Sequence, residues 1–363
     1  MAREPRFLER AIRELDAACE PLGCEAKLPA VWQRSGDFMV HIVGPTRLPF
    51  NFADADPDRD EPTPAQGCLS RKLADTGQAR HIRRMLRRAR AEGTDTKLHG
   101  VSRHFPLHLI WLPSEPPDDC PAKPLSARFA GKQPISMFRS DWKPDAAHLE
   151  IKGGTALASH GQMDVGSFVY DADGVRWFHD MGSDDYNMPG YFGKERWSYF
   201  RLTNRSHNTL VIDGKLQNLS NKPAAMVDEK TEGDTAMVAF NLGPAYHKQA
   251  DEVRRTATFE HASGAAMIED LVKSPVGPVR RAVITKSAIR IDARHLLHEE
   301  AGKTLVVTRK VGNGGDWRTE HATPPTNQED PNHDFRVLYF TAPPASQLEL
   351  KVSRAPHIGG AAE

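Results

Sequence analysis

The sequence predicts an α+β multidomain chain, a helical part followed by a large antiparallel β part. Three observations carry this reading. Apolar residues recur at helical spacing near the N-terminus, prolines crowd the stretch 113–124, and beyond it short Val- and Ile-rich runs separated by turns continue almost to the end. A length of 363 residues favours two domains.

Phe7, Leu8, Ala11, Ile12 and Leu15 place a helix over 5–20. Val31, Trp32, Phe38, Met39, Ile42 and Val43 place a second, stopped by Gly44-Pro45. Residues 49–54, Pro-Phe-Asn-Phe-Ala-Asp, leave the helical pattern, and 57–64 read as an acidic loop. A helix or helix pair is expected over 65–91 and another over 104–112, ending at Pro113. Prolines at 113, 116, 117, 121 and 124 make 113–125 a linker between a helical part, 1–112, and a β domain, 126–363. Later strands are expected at 236–240, 256–259, 265–271, 281–284, 288–291, 304–309, 335–340 and 347–352. No repeat of solenoid period is apparent.

Composition narrows the function. Apolar content of 39% with 27 Gly and 27 Pro fits a globular, loop-rich chain. Formal net charge is zero, so bulk electrostatics recruit neither nucleic acid nor membrane. No apolar run approaches a membrane span, and no signal peptide is visible in this chain. Cys19, Cys24, Cys68 and Cys120 lack CxxC spacing; both disulfides and buried free thiols are compatible with them. On the basic segment 81–90, Arg83, Arg87 and Arg90 share one helical face and Arg80, Arg84 and Arg88 a neighbouring one, the usual pattern of a solvated face.

The chemistry concentrates between 151 and 219. Residues 164–170 read as a strand, Asp171-Ala172-Asp173-Gly174 as a turn, and Val175-Arg176-Trp177-Phe178 as the returning strand. His160 then precedes the hairpin, Asp180 follows it, and His207 leads into a strand over 209–212 closed by Asp213-Gly214. Side chains at strand ends stand on a rigid base. Taken alone, a histidine between strands is more often structural than catalytic. Trp177, Phe178, Trp197 and Phe200 read as packing residues before sugar platforms.

Five motifs in this stretch occur together and in order: Lys152-Gly153-Gly154, His160 to Phe168 (HGQMDVGSF), Arg176 to Gly182 (RWFHDMG), Arg196 to Arg201 (RWSYFR) and Ser206 to Leu210 (SHNTL). In this series the chain resembles the heparinase II/III-like polysaccharide lyases, with Gln162 where that family usually has a second histidine. The resemblance implies a partial α/α toroid followed by a β-sandwich domain, with Gly36-Asp37-Phe38-Met39, Gly44-Pro45-Thr46 and residues 50–54 as the end of the toroid. The family's Trp-x-Tyr-Gly segment, which carries a proton-transfer tyrosine, is not found. The chain therefore reads as a C-terminal portion, by natural truncation or a misassigned start, and is expected to be a poor lyase alone.

The implied activity is β-elimination on a uronate-containing acidic polysaccharide, such as heparin, heparan sulfate or alginate. Such a reaction needs a base, an acid and donors around the carboxylate. By resemblance His160 is a catalytic residue, with Tyr199 favoured over Tyr191 as the tyrosine. Arg196, Arg201 and Trp197 are expected to bind substrate. A structural zinc is implied at Gln162, Asp180 and His207, although an amide is a poorer zinc ligand than imidazole; a metal-free hydrogen-bonded cluster is the alternative. His179 should face away from Asp180, its strand neighbour. Periplasmic or extracellular residence and a homodimer are further expectations. The competing reading is a non-catalytic glycan-binding or structural β-sandwich.

Overall fold

The computed structural model describes residues 34–55, 64–91, 110–111, 123–292, 295–311, 316–344 and 347–354. The expected helix over 5–20, most of the one over 104–112, most of the linker, and Cys19, Cys24 and Cys120 lie outside them. The chain forms two compact units, Met1–Val43 with Arg59–Pro124, and Gly44–Asp58 with Leu125–Glu363.

In the first unit the described α-helices are α1 (Ser35–His41), α2 (Pro64–Lys72) and α3 (Thr76–Ala91). The helix pair expected over 65–91 breaks at Ala74, whose φ is +51°, and restarts at Asp75, whose carboxylate accepts the Gln78 N–H at 2.9 Å as a helix cap. Arg84, Arg87, Arg88 and Arg90 are exposed on α3 while Ile82 is buried, as a solvated basic face requires. Cys68 is buried. Ile110 and Trp111 are helical as well; the architecture that dominates the described residues is antiparallel β.

The second unit holds three sheets. The first is a meander of β1 (Ser126–Phe129), β2 (Ile135–Arg139), β3 (His148–Lys152), β4 (Phe168–Ala172) and β5 (Val175–Phe178). Downstream come β6 (Leu210–Ile212), β7 (Ala225–Glu232), β8 (Thr235–Asn241), β9 (Glu252–Glu260), β10 (Ala266–Lys273), β11 (Val279–Thr285) and β12 (Ala288–Asp292). The last five are β13 (His295–Glu300), β14 (Lys303–Val311), β15 (Arg318–His321), β16 (Arg336–Ala342) and β17 (Gln347–Arg354). They form an eight-stranded sheet in the order β12-β13-β14-β17-β10-β9-β8-β7 and a four-stranded sheet in the order β15-β16-β11-β6. Side chains from all three sheets, among them Leu149, Trp177, Ile212, Phe240, Ile268 and Phe340, meet in one core.

All eight later strands expected from the sequence are present, because each alternates or runs apolar toward that core; β9 and β10 alternate buried and half-buried residues along most of their length. The strands not anticipated break the pattern for physical reasons. In β3, Leu149 and Ile151 enter the core while His148, Glu150 and Lys152 line the opposite face, which is buried too. Strand β7 lies at a sheet edge with mostly exposed residues, AMVDEKTE, where charge discourages pairing with another chain.

Two boundaries move. The hairpin turn is only Asp173-Gly174, with φ of +56° and +78°, the tight turn that suits twisted strands. Asp171 stays in the ladder opposite Arg176, with which it forms a buried ion pair. Residues 44–58, grouped by sequence with the helical part, belong to the β unit. Arg176 donates to the carbonyls of Pro49 and Leu48 at 2.8 and 2.7 Å, Asn51 donates to the Asp180 carbonyl at 3.1 Å, and Phe50 and Phe52 are buried.

The inner face of the large sheet carries charge. Arg255 on β9 and its register partner Asp270 on β10 form a two-pronged pair at 2.7 and 2.9 Å, and Arg281 on β11 joins Asp270 at 2.9 Å. All three are buried. Burial pushes the Asp270 carboxyl up, but the two guanidinium groups outweigh it and hold it below the usual carboxylate range. A carboxyl depressed on folding adds stability above its unfolded pKa of about 3.9, and that stability is lost as pH falls through the lower folded value. Asp270→Asn is expected to cost about 3–5 kcal/mol at neutral pH by leaving two buried cations uncompensated. Denaturant titration should show this deficit, and the deficit should shrink as pH falls below about 4.

Candidate functional site

The loop between β3 and β4, the segment after β5 and residues 51–54 converge. His160 sits in the first with φ of +58°, a left-handed backbone that histidine adopts more readily than most side chains. Its carbonyl accepts the Asp54 N–H at 3.2 Å, and its Nδ1 lies 3.2 Å from Asp54 Oδ2. Gly161 follows because a Cβ there would stand 2.4 Å from the Ala156 carbonyl oxygen. The His160 side chain is 31% exposed and that of Asp54 only 1%.

Asp54 is the hub. Its Oδ1 accepts from Gln162 Nε2 at 2.9 Å, Arg196 Nη2 at 2.9 Å and the Tyr191 hydroxyl at 3.2 Å. Gln162 also donates to the Gly182 carbonyl at 3.1 Å, and Asp180 Oδ1 accepts the Gly182 N–H at 2.9 Å. Asp180 Oδ2 in turn lies 3.3 Å from His207 Nδ1. One chain of contacts thus joins His160, Asp54, Gln162, Gly182, Asp180 and His207. His179 points elsewhere, with its ring 5.6 Å from Phe335, and burial lowers its pKa to about 3, leaving it neutral.

Three successive 3-10 turns, Lys194–Ser198, Phe200–Leu202 and Asn204–Ser206, carry the chain past the site to His207. Their side chains are more committed than their sequence suggests. Beyond Asp54, Arg196 donates to the carbonyls of Gly161 and Tyr191, at 2.8 and 3.3 Å. Arg201 donates to Asn332 Oδ1 at 2.8 Å and the Ser183 carbonyl at 2.7 Å, and pairs with Asp330 at 2.8 Å. Both arginines, expected to bind substrate, thus also brace the protein. Trp197 is half-buried, with the Arg196 guanidinium 5.6 Å from its ring centre.

Tyr191 and Tyr199 are buried in a small cluster with Met188 and Leu202. The Tyr199 hydroxyl donates to the Pro189 carbonyl and takes no part in the Asp54 network. Burial, reinforced by Asp54, pushes the Tyr191 phenol up, so it stays protonated. Sequence reasoning missed the two exposed aromatics beside His160. Tyr186, 44% exposed, stacks on its ring at 6.1 Å, and Phe192, 61% exposed, meets it edge-on at 5.7 Å. Burial and the nearby Asp54 also raise the Tyr186 phenol.

Gln162 Oε1 and His207 Nε2 are buried without a hydrogen-bond partner, and Asp180 Oδ2 and His207 Nδ1 have only each other, at 3.3 Å. Unpartnered buried polar atoms are costly, and these belong to the three residues singled out as metal ligands. Two ligands of one tetrahedral zinc, each bonded at about 2.0–2.1 Å, stand roughly 3.3–3.4 Å apart, which the His207–Asp180 spacing of 3.3 Å matches. Among the described residues no three His, Cys, Asp or Glu side chains form a metal group, since the third donor here is an amide. Burial disfavours a charged His207, but the Asp180 carboxylate overcomes it and raises the pKa.

The comparisons agree with this architecture. A curated heparin-sulfate lyase of Bacteroides stercoris is 26% identical over 180 residues, 49% of this chain and 26% of that protein. A heparinase III structure with methylated lysines superposes with a TM-score of 0.63 at 18% identity, covering 96% of this chain and 50% of the other. The heparan sulfate lyase of Pedobacter heparinus gives 0.55 at 13% identity, covering 87% and 45%. The chain thus spans half or less of the length of these relatives, and the structural likeness shows the fold. The family model described as heparinase II/III-like, C-terminal, matches residues 142–345. That range is more than half of the chain and contains every motif from Lys152 to Leu210, so the protein belongs to the heparinase II/III-like family through its C-terminal domain.

Proposed function

We propose that this chain acts in β-elimination of a uronate-containing acidic polysaccharide of the heparin or heparan sulfate class. The observation that carries the proposal is the half-exposed His160 imidazole, held from behind by a buried carboxylate and flanked by exposed aromatic rings. In the reaction a base takes the C5 proton of the uronate, the C4–O bond breaks, a C4=C5 double bond forms, and the departing oxygen takes a proton. His160 Nε2 serves as the base. Tyr186, protonated and exposed beside it, is in place to supply the acid. Tyr186, like Tyr191, hydrogen-bonds Asp54, whereas the Tyr199 hydroxyl is held by the Pro189 carbonyl. The Tyr186 and Phe192 rings offer apolar faces for the sugar. The relatives' names favour heparan sulfate over alginate, and action in the periplasm or outside the cell follows the same reading.

Unsaturated uronates absorb near the ultraviolet edge, so turnover can be read directly. On heparan sulfate, His160→Ala should lower the rate of new absorbance by about 10²- to 10⁴-fold relative to the unaltered chain. This ratio carries the test whatever the absolute rate. Binding of heparan sulfate without any new absorbance, and with no response to His160→Ala, would instead support a non-catalytic glycan-binding module.

We also propose that Gln162 Oε1, Asp180 Oδ2 and a His207 ring nitrogen hold zinc, whose role would be to brace the loops around His160. Metal analysis of purified protein should then approach about one zinc per chain. His207→Ala should abolish it, and chelation should lower the melting temperature, because a ligand bound only to the native state stabilises it by about 2.7 kcal/mol at a hundredfold excess over Kd. Gln162→His, restoring a second imidazole, should tighten binding. A metal-free protein indifferent to chelator would favour a bare polar cluster.

A further inference from the structure

Asp54 lies outside every motif of the 151–219 stretch, yet its carboxylate meets four residues of the candidate site. The two oxygens of its carboxylate do different things. Oδ1 receives Gln162 Nε2, Arg196 Nη2 and the Tyr191 hydroxyl, all donors. Oδ2 faces His160 Nδ1 at 3.2 Å. A carboxylate can only accept, so in the neutral ring Nδ1 must carry the proton and Nε2 keeps its lone pair. The backbone adds a second hold, since the Asp54 N–H donates to the His160 carbonyl at 3.2 Å and Arg196 Nη2 reaches the same oxygen at 3.3 Å. The left-handed φ of His160 is a conformation that persists only where its surroundings fix it. With Tyr186 on the ring's face and Phe192 at its side, Nε2 is the atom left for the exposed side.

We propose that Asp54 is the positioning residue of His160: it fixes the Nδ1–H tautomer and the ring orientation, so that Nε2 is presented as a proton acceptor. The functional half of this inference rests on reading His160 as the proton-transfer group; the tautomer itself does not. An imidazole in the opposite tautomer carries hydrogen on Nε2 and cannot take a proton there, however well the ring is placed.

The site also dictates an informative variant. Asp54→Asn is nearly isosteric, and the three donors converging on Oδ1 require the amide oxygen at that position. The amide nitrogen must then occupy the Oδ2 position and donate to His160 Nδ1. That makes Nδ1 an acceptor and moves the ring proton to Nε2. Nitrogen-15 spectra of the full chain with labelled histidine, recorded where the ring is neutral, should show His160 as the Nδ1–H tautomer, its signal assigned by loss in His160→Gln. In Asp54→Asn the signal should change to the Nε2–H tautomer with an otherwise preserved spectrum, and kcat should fall by about 10²- to 10⁴-fold while KM stays within about twofold. An Nε2–H tautomer in the unaltered chain, or no change of tautomer in Asp54→Asn, would overturn the proposal. Should Asp54→Asn not fold, the tautomer of the unaltered chain decides alone. No turnover by the unaltered chain would count against the lyase reading, and the spectra would still decide the role of Asp54.

Discussion

The buried pair of Arg255 and Asp270 is the contact on which the β unit and the site both depend. The bidentate pair joins two neighbouring strands of the large sheet, and the remaining guanidinium nitrogen, Nη1, donates to the carbonyls of Gly166 and Asn208 at 2.6 and 2.7 Å. Those carbonyls belong to the loops that lead into β4 and out of the site. Asn208, so held, donates to the carbonyls of Phe168 and His179 and accepts from the Ile284 N–H. Its one amide side chain therefore ties the five-stranded sheet to the four-stranded one. Removing charge at the pair would loosen the register of elements well beyond it, because a buried guanidinium without its carboxylate has no inexpensive alternative partner.

This explains which parts of the molecule were legible in the sequence. Strands that alternate, such as β9 and β10, declare themselves because one face meets the core. The Ser-His-Asn-Thr-Leu motif was legible as a motif, but the work of Asn208 was not, since its three partners come from positions 168, 179 and 284. The protein partners of the arginines were illegible for a related reason. Arg196 and Arg201 look like substrate cations in a one-dimensional reading, yet their donors meet protein oxygens brought near only by the 3-10 turns. Asp54 was legible only as part of residues 50–54, which leave the helical pattern and fall within the family resemblance, and nothing there pointed to His160.

The candidate site also shows how one neutral residue can change a cluster's logic. A second imidazole at 162 would offer a ring nitrogen to the Asp180–His207 pair. Glutamine divides its functions: its amide nitrogen serves Asp54 and the Gly182 carbonyl, and its buried oxygen has no hydrogen-bond partner. It thereby couples the environment of His160 to that of His207 through a single side chain, with Gly182 as the shared neighbour.

The placement of residues 44–58 has a consequence for how the domain is divided experimentally. A fragment cut at the proline-rich stretch and beginning at Leu125 would keep every strand of the three sheets. It would also lack the carbonyls of Leu48 and Pro49 that take up the Arg176 guanidinium, the Phe50 and Phe52 rings, and the carboxylate behind His160. The site is closed by a contact spanning 106 positions of sequence, so its assembly waits on a large loop closure and not on local hairpin formation. A fragment defined by its sheets alone would be a β domain with an incomplete centre, and a swap of this domain between relatives should carry the short upstream segment with it.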